Sequence, residues 1–443
     1  MRILHYSLGF PPARSGGLVE YSLSLINRQL QSGEDVFLLF PGNVDVLRKG
    51  TRIKFNNKHS TDKFKVYELV NSLPLPLYGG IKTPSDFKKK VDPKIYELFF
   101  DKISPDVIHV HTLMGLHLEF FEVAKKKNIK IVFTSHDYFG IAPEPNFFYQ
   151  GRNYLDDNTD QTWANIAKNA LSTRKLRLFQ NSAYPLIKKV LKKLRVGKSK
   201  LGKGSSRAIK NRVTDSESNI SVDNDFHSLR EYYIKIFDLI DFVHFNSTVA
   251  QEIYSTFFLK FNVNLQSEVI SISNENIVNR EFSPKSISNN LRVGYIGPNE
   301  DYKGFYDFCK VASRLKNRNI EFHTYGYNSK EKIENIIEHG RYSSSELEKI
   351  YSNIDLLIVP SKWYETFGLV ALEALSFHTV VFASSKTGAK DLLPSNCVFE
   401  DIQQLKVKVK QFDKKQTLTL NYSVKTMDKH AKEIKKVYLM LLK

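Results

Sequence analysis

The sequence has little sulfur and no long apolar run. Only two cysteines, Cys309 and Cys397, occur in 443 residues, and neither has a second cysteine or a histidine at metal-ligand spacing. That excludes a disulfide framework and argues against a structural zinc. No apolar stretch approaches the ~18 residues that span a bilayer. The opening Met1-Arg2-Ile3-Leu4-His5-Tyr6-Ser7 turns polar too soon for a secretory h-region. The chain is therefore expected on the cytoplasmic side. Short-period repeats are absent. The profile of disorder is absent too, since 42% of residues are apolar and 12% aromatic, enough to bury a core. At ~150 residues per domain, the length predicts two or three units.

Acidic residues are missing from one segment. Residues 174 to 212 hold 14 Lys or Arg and no Asp or Glu, leaving 51 basic against 47 acidic residues in the rest of the chain. The net charge of +18 is therefore largely local. Within this segment Leu186, Ile187, Val190, Leu191 and Leu194 recur at helical spacing, with Lys188, Lys189, Lys192, Lys193 and Arg195 on the other face. This predicts a basic amphipathic helix of the membrane-surface type, followed by a Gly-, Ser- and Lys-rich loop. Each cation near an anionic leaflet contributes about 1 kcal/mol. The alternative is a solvated helix packed by its leucine face. Nucleic acid is disfavoured, because only Phe179 and Tyr184 could stack on bases.

The chain alternates short apolar runs with helical patterns, which predicts an α/β fold with parallel sheets. In the first half the expected strands are 2–6, 35–40, 107–110, 130–134, 242–245 and about 269–271. Helices are expected at 18–32, 118–127, 228–239 and 248–257. A second series begins at 291–296, with strands at 320–325, 355–359 and 379–382. Its helices are expected at 304–315, 330–338, 344–352 and 368–376. Two doubly wound, Rossmann-like domains are thus predicted, 1–280 with a basic insertion at about 157–225, and 281–423. A terminal helix in 424–443 is expected to pack back on the first domain.

In open α/β sheets the ligand lies outside the carboxyl ends of the strands, so the loops after strands are the candidates. After the first strand, Gly16-Gly17 opens a helix, where backbone N–H groups and the macrodipole favour an anion. The spacing fits neither G-x-G-x-x-G nor a Walker loop, and a glycine pair is also an ordinary turn. His136, in Thr134-Ser135-His136-Asp137, ends an apolar strand and can reach a sugar hydroxyl or be satisfied by Asp137. His109 and His111 share one face of a strand and lack a third ligand for a metal. Lys303, in Gly297-Pro298-Asn299-Glu300-Asp301-Tyr302-Lys303-Gly304, is placed to neutralise a pyrophosphate.

The strongest pattern is Pro360-Ser361-Lys362-Trp363-Tyr364-Glu365-Thr366-Phe367-Gly368-Leu369-Val370-Ala371-Leu372-Glu373. On a continuous helix Glu365 and Glu373 would stand about 80° apart, so they are not a side-by-side acid/base dyad. They can hold two hydroxyl-bearing parts of one elongated ligand, with the helix mouth at Thr366, Phe367, Gly368 and Leu369 between them receiving phosphates. A carboxylate buried at Glu373 without such a purpose would be costly.

Together these elements, above all Glu365-x7-Glu373, resemble the retaining glycosyltransferases of family 4, with the GT-B fold. The likeness runs from Met1 to about Pro394, apart from the insertion. It implies a UDP- or GDP-sugar donor held mainly by the second domain and a saccharide acceptor held mainly by the first. Glu365 is then expected on donor sugar hydroxyls, Glu373 on the ribose, Lys303 on the diphosphate, Gly16 and Gly17 closing over it, and His136 near the anomeric carbon. The family uses no essential metal or other cofactor, and no Asp-x-Asp element lies in a suitable loop here. Pro298 departs from the family, which usually has arginine after that glycine, so one phosphate contact is either missing or supplied from elsewhere, with Arg14 and Lys362 as the candidates. The basic insertion adds the expectation of a lipid-linked acceptor, a peripheral position on the inner face of the membrane, and a role in cell-surface polysaccharide synthesis. A catalytically silent GT-B homologue serving as a binding or scaffold subunit is the alternative. A soluble sucrose- or glycogen-type transferase is disfavoured, because it would leave the basic helix idle.

Overall fold

A computed structural model describes residues 1–76, 79–180, 222–281, 285, 288–316, 318–329, 332–413 and 424–443. The basic amphipathic helix and the loop expected after it lie outside the described residues. The described part of that segment ends in a short helix, Thr173–Phe179.

Strands alternate with helices throughout. The first sheet contains β1 (Arg2–Tyr6), β2 (Asp35–Pro41), β3 (Arg52–Phe55), β4 (Phe64–Val70), β5 (Val107–Val110) and β6 (Lys130–Thr134). A separate small hairpin pairs β7 (Phe148–Tyr149) with β8 (Arg152–Asn153). The first sheet is completed by β9 (Phe242–Phe245) and β10 (Gln266–Val269), in the order β10-β9-β6-β5-β1-β2-β4-β3. Only β3 is antiparallel to its neighbour in this sheet. The second sheet, all parallel, uses β11 (Leu291–Ile296), β12 (Ile320–Tyr325), β13 (Ile337–Glu338), β14 (Leu356–Val359), β15 (Val380–Ser384) and β16 (Val398–Phe399). Its order is β13-β12-β11-β14-β15-β16.

β5, β9, β11, β14 and β15 are buried along their whole length. Their sequences are accordingly mostly apolar, interrupted by His109 in β5, His244 in β9 and Arg292 in β11, as expected for parallel strands covered by helices on both faces. The helix Gly17–Gln31 buries Val19, Ser22, Leu25, Ile26 and Gln29, a stripe at helical spacing against the sheet. Beyond the second sheet, the helix Met427–Leu441 lies against this first helix. Tyr21 Oη and His430 Nε2 share a hydrogen bond of 2.7 Å there, and Arg28 pairs with Asp428 at 3.1 Å.

One expected helix is corrected. In the segment 330–338 the described residues carry no helix, and Ile337–Glu338 instead forms β13, paired with His323 and Thr324 at the sheet edge. Ile333 and Ile336 pack on the second domain's core. Edge pairing and burial thus override the helical spacing of the isoleucines. The helix expected from 344 is only a 3-10 turn at Ser344–Glu346 before Leu347–Ser352, held at its start by a Ser343–Glu346 capping box.

Candidate active site

In both sheets the chain reverses its direction of growth beside the first strand. β1 has β2 on one side and β5 on the other, and β11 has β12 on one side and β14 on the other. Such switch points leave a crevice at the carboxyl ends of the strands. The two crevices face each other and enclose a cavity of about 340 Å³.

On the second domain's side, the loop after β11 brings in Lys303 and the loop after β14 brings in Glu365. Lys303 Nζ donates to Glu365 Oε1, and Ser361 Oγ donates to Glu365 Oε2. The ammonium also lies 5.1 Å from the Trp363 ring centroid, within cation–π range. Gly304 is forced by local crowding. It adopts φ +73°, and a Cβ there would stand 1.7 Å from the Pro360 carbonyl oxygen. This close approach of the two loops sets Lys303 beside Glu365. Gly368, at φ +93°, caps the eight-residue helix Leu369–Ser376, so the mouth of that helix opens on the cavity.

Glu373 sits inside that helix and is buried. Its Oε1 lies 3.5 Å from Asn274 Nδ2 and its Oε2 3.5 Å from Tyr351 Oη. Burial, reinforced by repulsion from Glu20, pushes its pKa up to about 7. Asn274 Nδ2 also lies 3.0 Å from Glu20 Oε1, so one amide bridges carboxylates from the two domains.

The first domain contributes Gly17, Glu20 and His136 to the cavity. A Cβ on Gly17 would come within 3.3 Å of Leu369 Cδ1 across the cleft, so glycine permits the close approach of the two helix mouths. The His136 ring packs 4.6 Å from that of Tyr21, and its Nε2 is buried without a hydrogen-bond partner. Burial lowers its pKa to about 3, with repulsion from His244 adding to the effect, so the imidazole is neutral at pH 7.

Of the residues singled out from sequence, Gly17, His136, Lys303, Glu365, Thr366, Phe367, Gly368, Leu369 and Glu373 line this one cavity. Gly16 does not. It lines an adjoining cavity that it shares with Glu20. Pro298 lines the main cavity, and neither replacement cation does. Lys362 faces another cavity, on the far side of its loop, and pairs with Asp301 at 2.8 Å. It therefore does not supply the phosphate contact expected of it. Asp137 does not satisfy His136, because its carboxylate accepts from Thr112 Oγ1 and the Phe139 N–H.

Sequence reasoning missed Glu20, Asn274, Tyr295 and Trp363. Two had a local signal: Glu20, three residues after Gly17 in the first turn of its helix, and Trp363, two residues before Glu365 in the strongest pattern. The histidines also hold a correction. His109 and His111 gain a third histidine, His5, which strand pairing places opposite His109. Most of their nitrogens are engaged with one another and with neighbours: His5 meets His111 at 2.9 Å and Gln29 at 2.7 Å, and His109 meets Thr134 at 2.6 Å and Tyr438 at 2.5 Å, while His111 Nδ1 is buried without a hydrogen-bond partner. The trio is thus a hydrogen-bonded core.

The fold and this cleft define a two-domain glycosyltransferase of the GT-B class. Family models agree on both sides of the cleft: Glycosyltransferase Family 4 matches residues 15–179, and Glycosyl transferases group 1 matches residues 290–412. The chain belongs to the family-4 type of glycosyltransferase. A curated relative, an uncharacterized 42.6 kDa protein in the cps region of Klebsiella pneumoniae, is 24% identical over 325 residues. The match covers 70% of this chain and 66% of that relative, just under two thirds of its length. Among solved structures, sucrose-phosphate synthase from Thermosynechococcus elongatus superposes with a TM-score of 0.56 at 14% identity, covering 99% of this chain and 98% of the other. Anabaena HepE, solved with UDP, gives 0.52 at 12% identity, covering 100% and 97%. The catalytic domain of Arabidopsis thaliana starch synthase IV, bound to ADP and acarbose, gives 0.54 at 15% identity, covering 100% and 99%. At these identities the structural likeness concerns the fold.

Proposed function

We propose that the protein transfers a sugar from a UDP- or GDP-sugar to a saccharide acceptor, with retention of anomeric configuration, in the synthesis of a cell-surface polysaccharide. The observation that carries this reading is the convergence of Lys303, Glu365, the mouth of the helix Leu369–Ser376 and Glu373 on one interdomain cavity. The UDP and ADP bound by two structural neighbours support a nucleotide-sugar donor. The cps-region relative supports the polysaccharide role.

Breaking the anomeric bond builds positive charge on the sugar and negative charge on the diphosphate. Lys303 and the helix-mouth amides are fixed in advance where that negative charge appears, which is the main source of stabilisation in this reading. Lys303 has three N–H donors, so it can keep Glu365 in place while meeting a phosphate oxygen. Glu365, so held, receives sugar hydroxyls, and Glu373 receives the ribose. His136, being neutral, offers a hydrogen bond rather than a charge near the anomeric carbon. Retention follows if the acceptor attacks from the face that the leaving phosphate vacates, with that phosphate assisting its deprotonation. No resident metal or cofactor is needed.

The basic segment 174–212 supports a lipid-linked acceptor and a peripheral position on the cytoplasmic face of the membrane. Flotation with anionic liposomes tests this part. Deleting 185–212 is expected to abolish flotation, and unchanged flotation removes the membrane reading.

Calorimetry with UDP and with GDP, followed by a donor-hydrolysis assay, tests the reaction. One nucleotide is expected to bind, and its sugar conjugate to be hydrolysed slowly. Failure of both nucleotides to bind overturns the assignment. A second reading, a catalytically silent binding subunit, is favoured by Lys303 being the only Lys or Arg among the described residues lining the cavity, with Pro298 beside it. Nucleotide binding without hydrolysis or transfer would select it.

A further inference from the structure

The first domain holds another cavity, of about 590 Å³, at the same carboxyl edge of its sheet but displaced from the cleft. It opens where β2 and β4 end, on the side of β1 away from β5. Leu73, Val91 and Ile95 give it apolar walls, and Lys49, Lys90 and Arg177 give it charge.

The cations are under-compensated. Neither Lys49 nor Lys90 has an ion pair among the described residues, and the one carboxylate that Lys90 feels, the buried Glu119, already accepts from the Val91 backbone N–H. Half-buried Arg177 donates to the Ser72 carbonyl, and burial lowers its pKa from the usual arginine value although Asp86 is nearby. The acids at the cavity are spent locally. Asp45 pairs with Arg52 and accepts from the Leu47 and Arg48 N–H groups, and Asp92 accepts from the Lys94 N–H at 3.0 Å.

The rim adds a second feature. Val46 is 73% exposed and Leu47 94% exposed, yet their loop is firmly held. Asn71 Oδ1 accepts from the Asp45 N–H at 2.8 Å, while Asn71 Nδ2 donates to the carbonyls of Arg48 at 2.7 Å and Gly50 at 3.0 Å. A fixed loop that presents two aliphatic side chains to water gains by covering them. Arg177 also belongs to the described start of the basic segment 174–212, so that start contributes a cation to the cavity.

We infer that this cavity binds a phosphate esterified to an apolar chain, the cations taking the phosphate and Val46 and Leu47 meeting the chain. The inference rests on the proposed transfer reaction only in naming where the anionic head of a lipid-linked acceptor would sit. An anionic phospholipid offers the same chemistry.

Calorimetry of the full chain with geranyl diphosphate, inorganic diphosphate and geraniol tests it. Geranyl diphosphate is expected to bind most tightly. The double variant Lys49→Ala/Lys90→Ala, at exposed positions, should weaken both phosphate ligands about tenfold or more. Val46→Ser/Leu47→Ser should weaken geranyl diphosphate and leave inorganic diphosphate unchanged. Equal binding of the two phosphate ligands, or no change in either variant, overturns the inference. Phosphatidylcholine vesicles carrying either phosphatidylglycerol or a polyprenyl diphosphate separate the two sources. The vesicle type whose retention depends on Lys49 and Lys90 identifies the ligand, and dependence in neither case also overturns it. UDP or GDP binding in these variants reports on the transfer cleft separately, so loss of one reading is distinguishable from loss of the other.

Discussion

Thr366 Oγ1 donates a hydrogen bond of 3.0 Å to the backbone carbonyl of His136, tying the helix mouth of the second domain to the loop after β6 of the first. Beside it, Ser247 Oγ of the first domain donates to the Thr366 carbonyl at 2.5 Å. Domain closure and the placement of His136 therefore share one element. Thr366→Val keeps the shape and removes the hydroxyl, at a cost of about 1 kcal/mol for a lost hydrogen bond. Steady-state kinetics should show a lower kcat with a smaller change in donor KM. Unchanged kcat would separate His136 placement from this contact.

Lys303 and Glu373 are expected to fail in different ways. If the Lys303 ammonium stabilises the leaving diphosphate as proposed, Lys303→Ala removes stabilisation that grows in the transition state, and kcat should fall roughly 100-fold or more. If Glu373 contacts the nucleotide in the ground state, as proposed, donor KM should rise in Glu373→Ala with kcat less affected. Wild-type kinetics in both variants would refute the site.

Donor binding should depend on pH through Glu373. Its folded-state pKa is raised to about 7, so the carboxylate proposed to accept ribose hydroxyls is lost as pH falls through that value. Affinity for a nucleotide-sugar, whose diphosphate diester does not titrate there, should weaken below pH 7. In Glu373→Gln the affinity should be lower and flat with pH. A wild-type profile equally flat would detach Glu373 from the donor.

Acid should unfold the first domain steeply. His5, His109, His111, His136, His244 and His430, half of the chain's 12 histidines, cluster beneath the cleft, with Tyr21 packed against His111, His136 and His430. Burial lowers His5 and His244 to about 4 and His136 to about 3, with the other three well below the ordinary value. For a base with a depressed folded pKa the unfolded chain binds more protons, so stability is present above the unfolded value of about 6.5 and lost as pH falls below it. Each such proton contributes a slope of about 1.4 kcal/mol per pH unit. Thermal unfolding followed from neutral pH downward should give a slope of several protons, and a slope below one would contradict the neutral cluster.

Gly304→Ala should be severe. The added Cβ meets the Pro360 carbonyl, and the φ of +73° disfavours any side chain. A loss of about 2 to 4 kcal/mol is expected in chemical denaturation, with nucleotide affinity falling as Lys303 shifts from Glu365. Stability equal to wild type would mean that the two loops are free to part.

Much of the fold was legible because buried parallel strands such as Leu356–Val359 are short apolar runs, and helices such as Gly17–Gln31 repeat with their own period. Phe64–Val70 and Arg52–Phe55 went unassigned, because Lys65, Glu68 and Lys54 interrupt the apolar pattern near an open sheet edge. Ile337–Glu338 was misread for a related reason: a two-residue edge strand owes its state to the partner strand. In the site, the glycines, Lys303 and Glu365 stood out because each lies in a loop or helix start whose position follows from local pattern, and Glu373 because of its fixed spacing from Glu365 inside the helix that follows.

The order of the buried central strands and their helices, and the loops that carry Lys303 and Glu365, were determined by residue spacing alone, since each depends on neighbours a few positions away. Strand register and domain closure decided the rest. Register set His5 opposite His109, closure brought Asn274 between Glu20 and Glu373, and the turn of one loop sent Lys362 away from the cleft. These contacts join residues about 100 or more positions apart, and no local periodicity encodes which distant partner a side chain will meet.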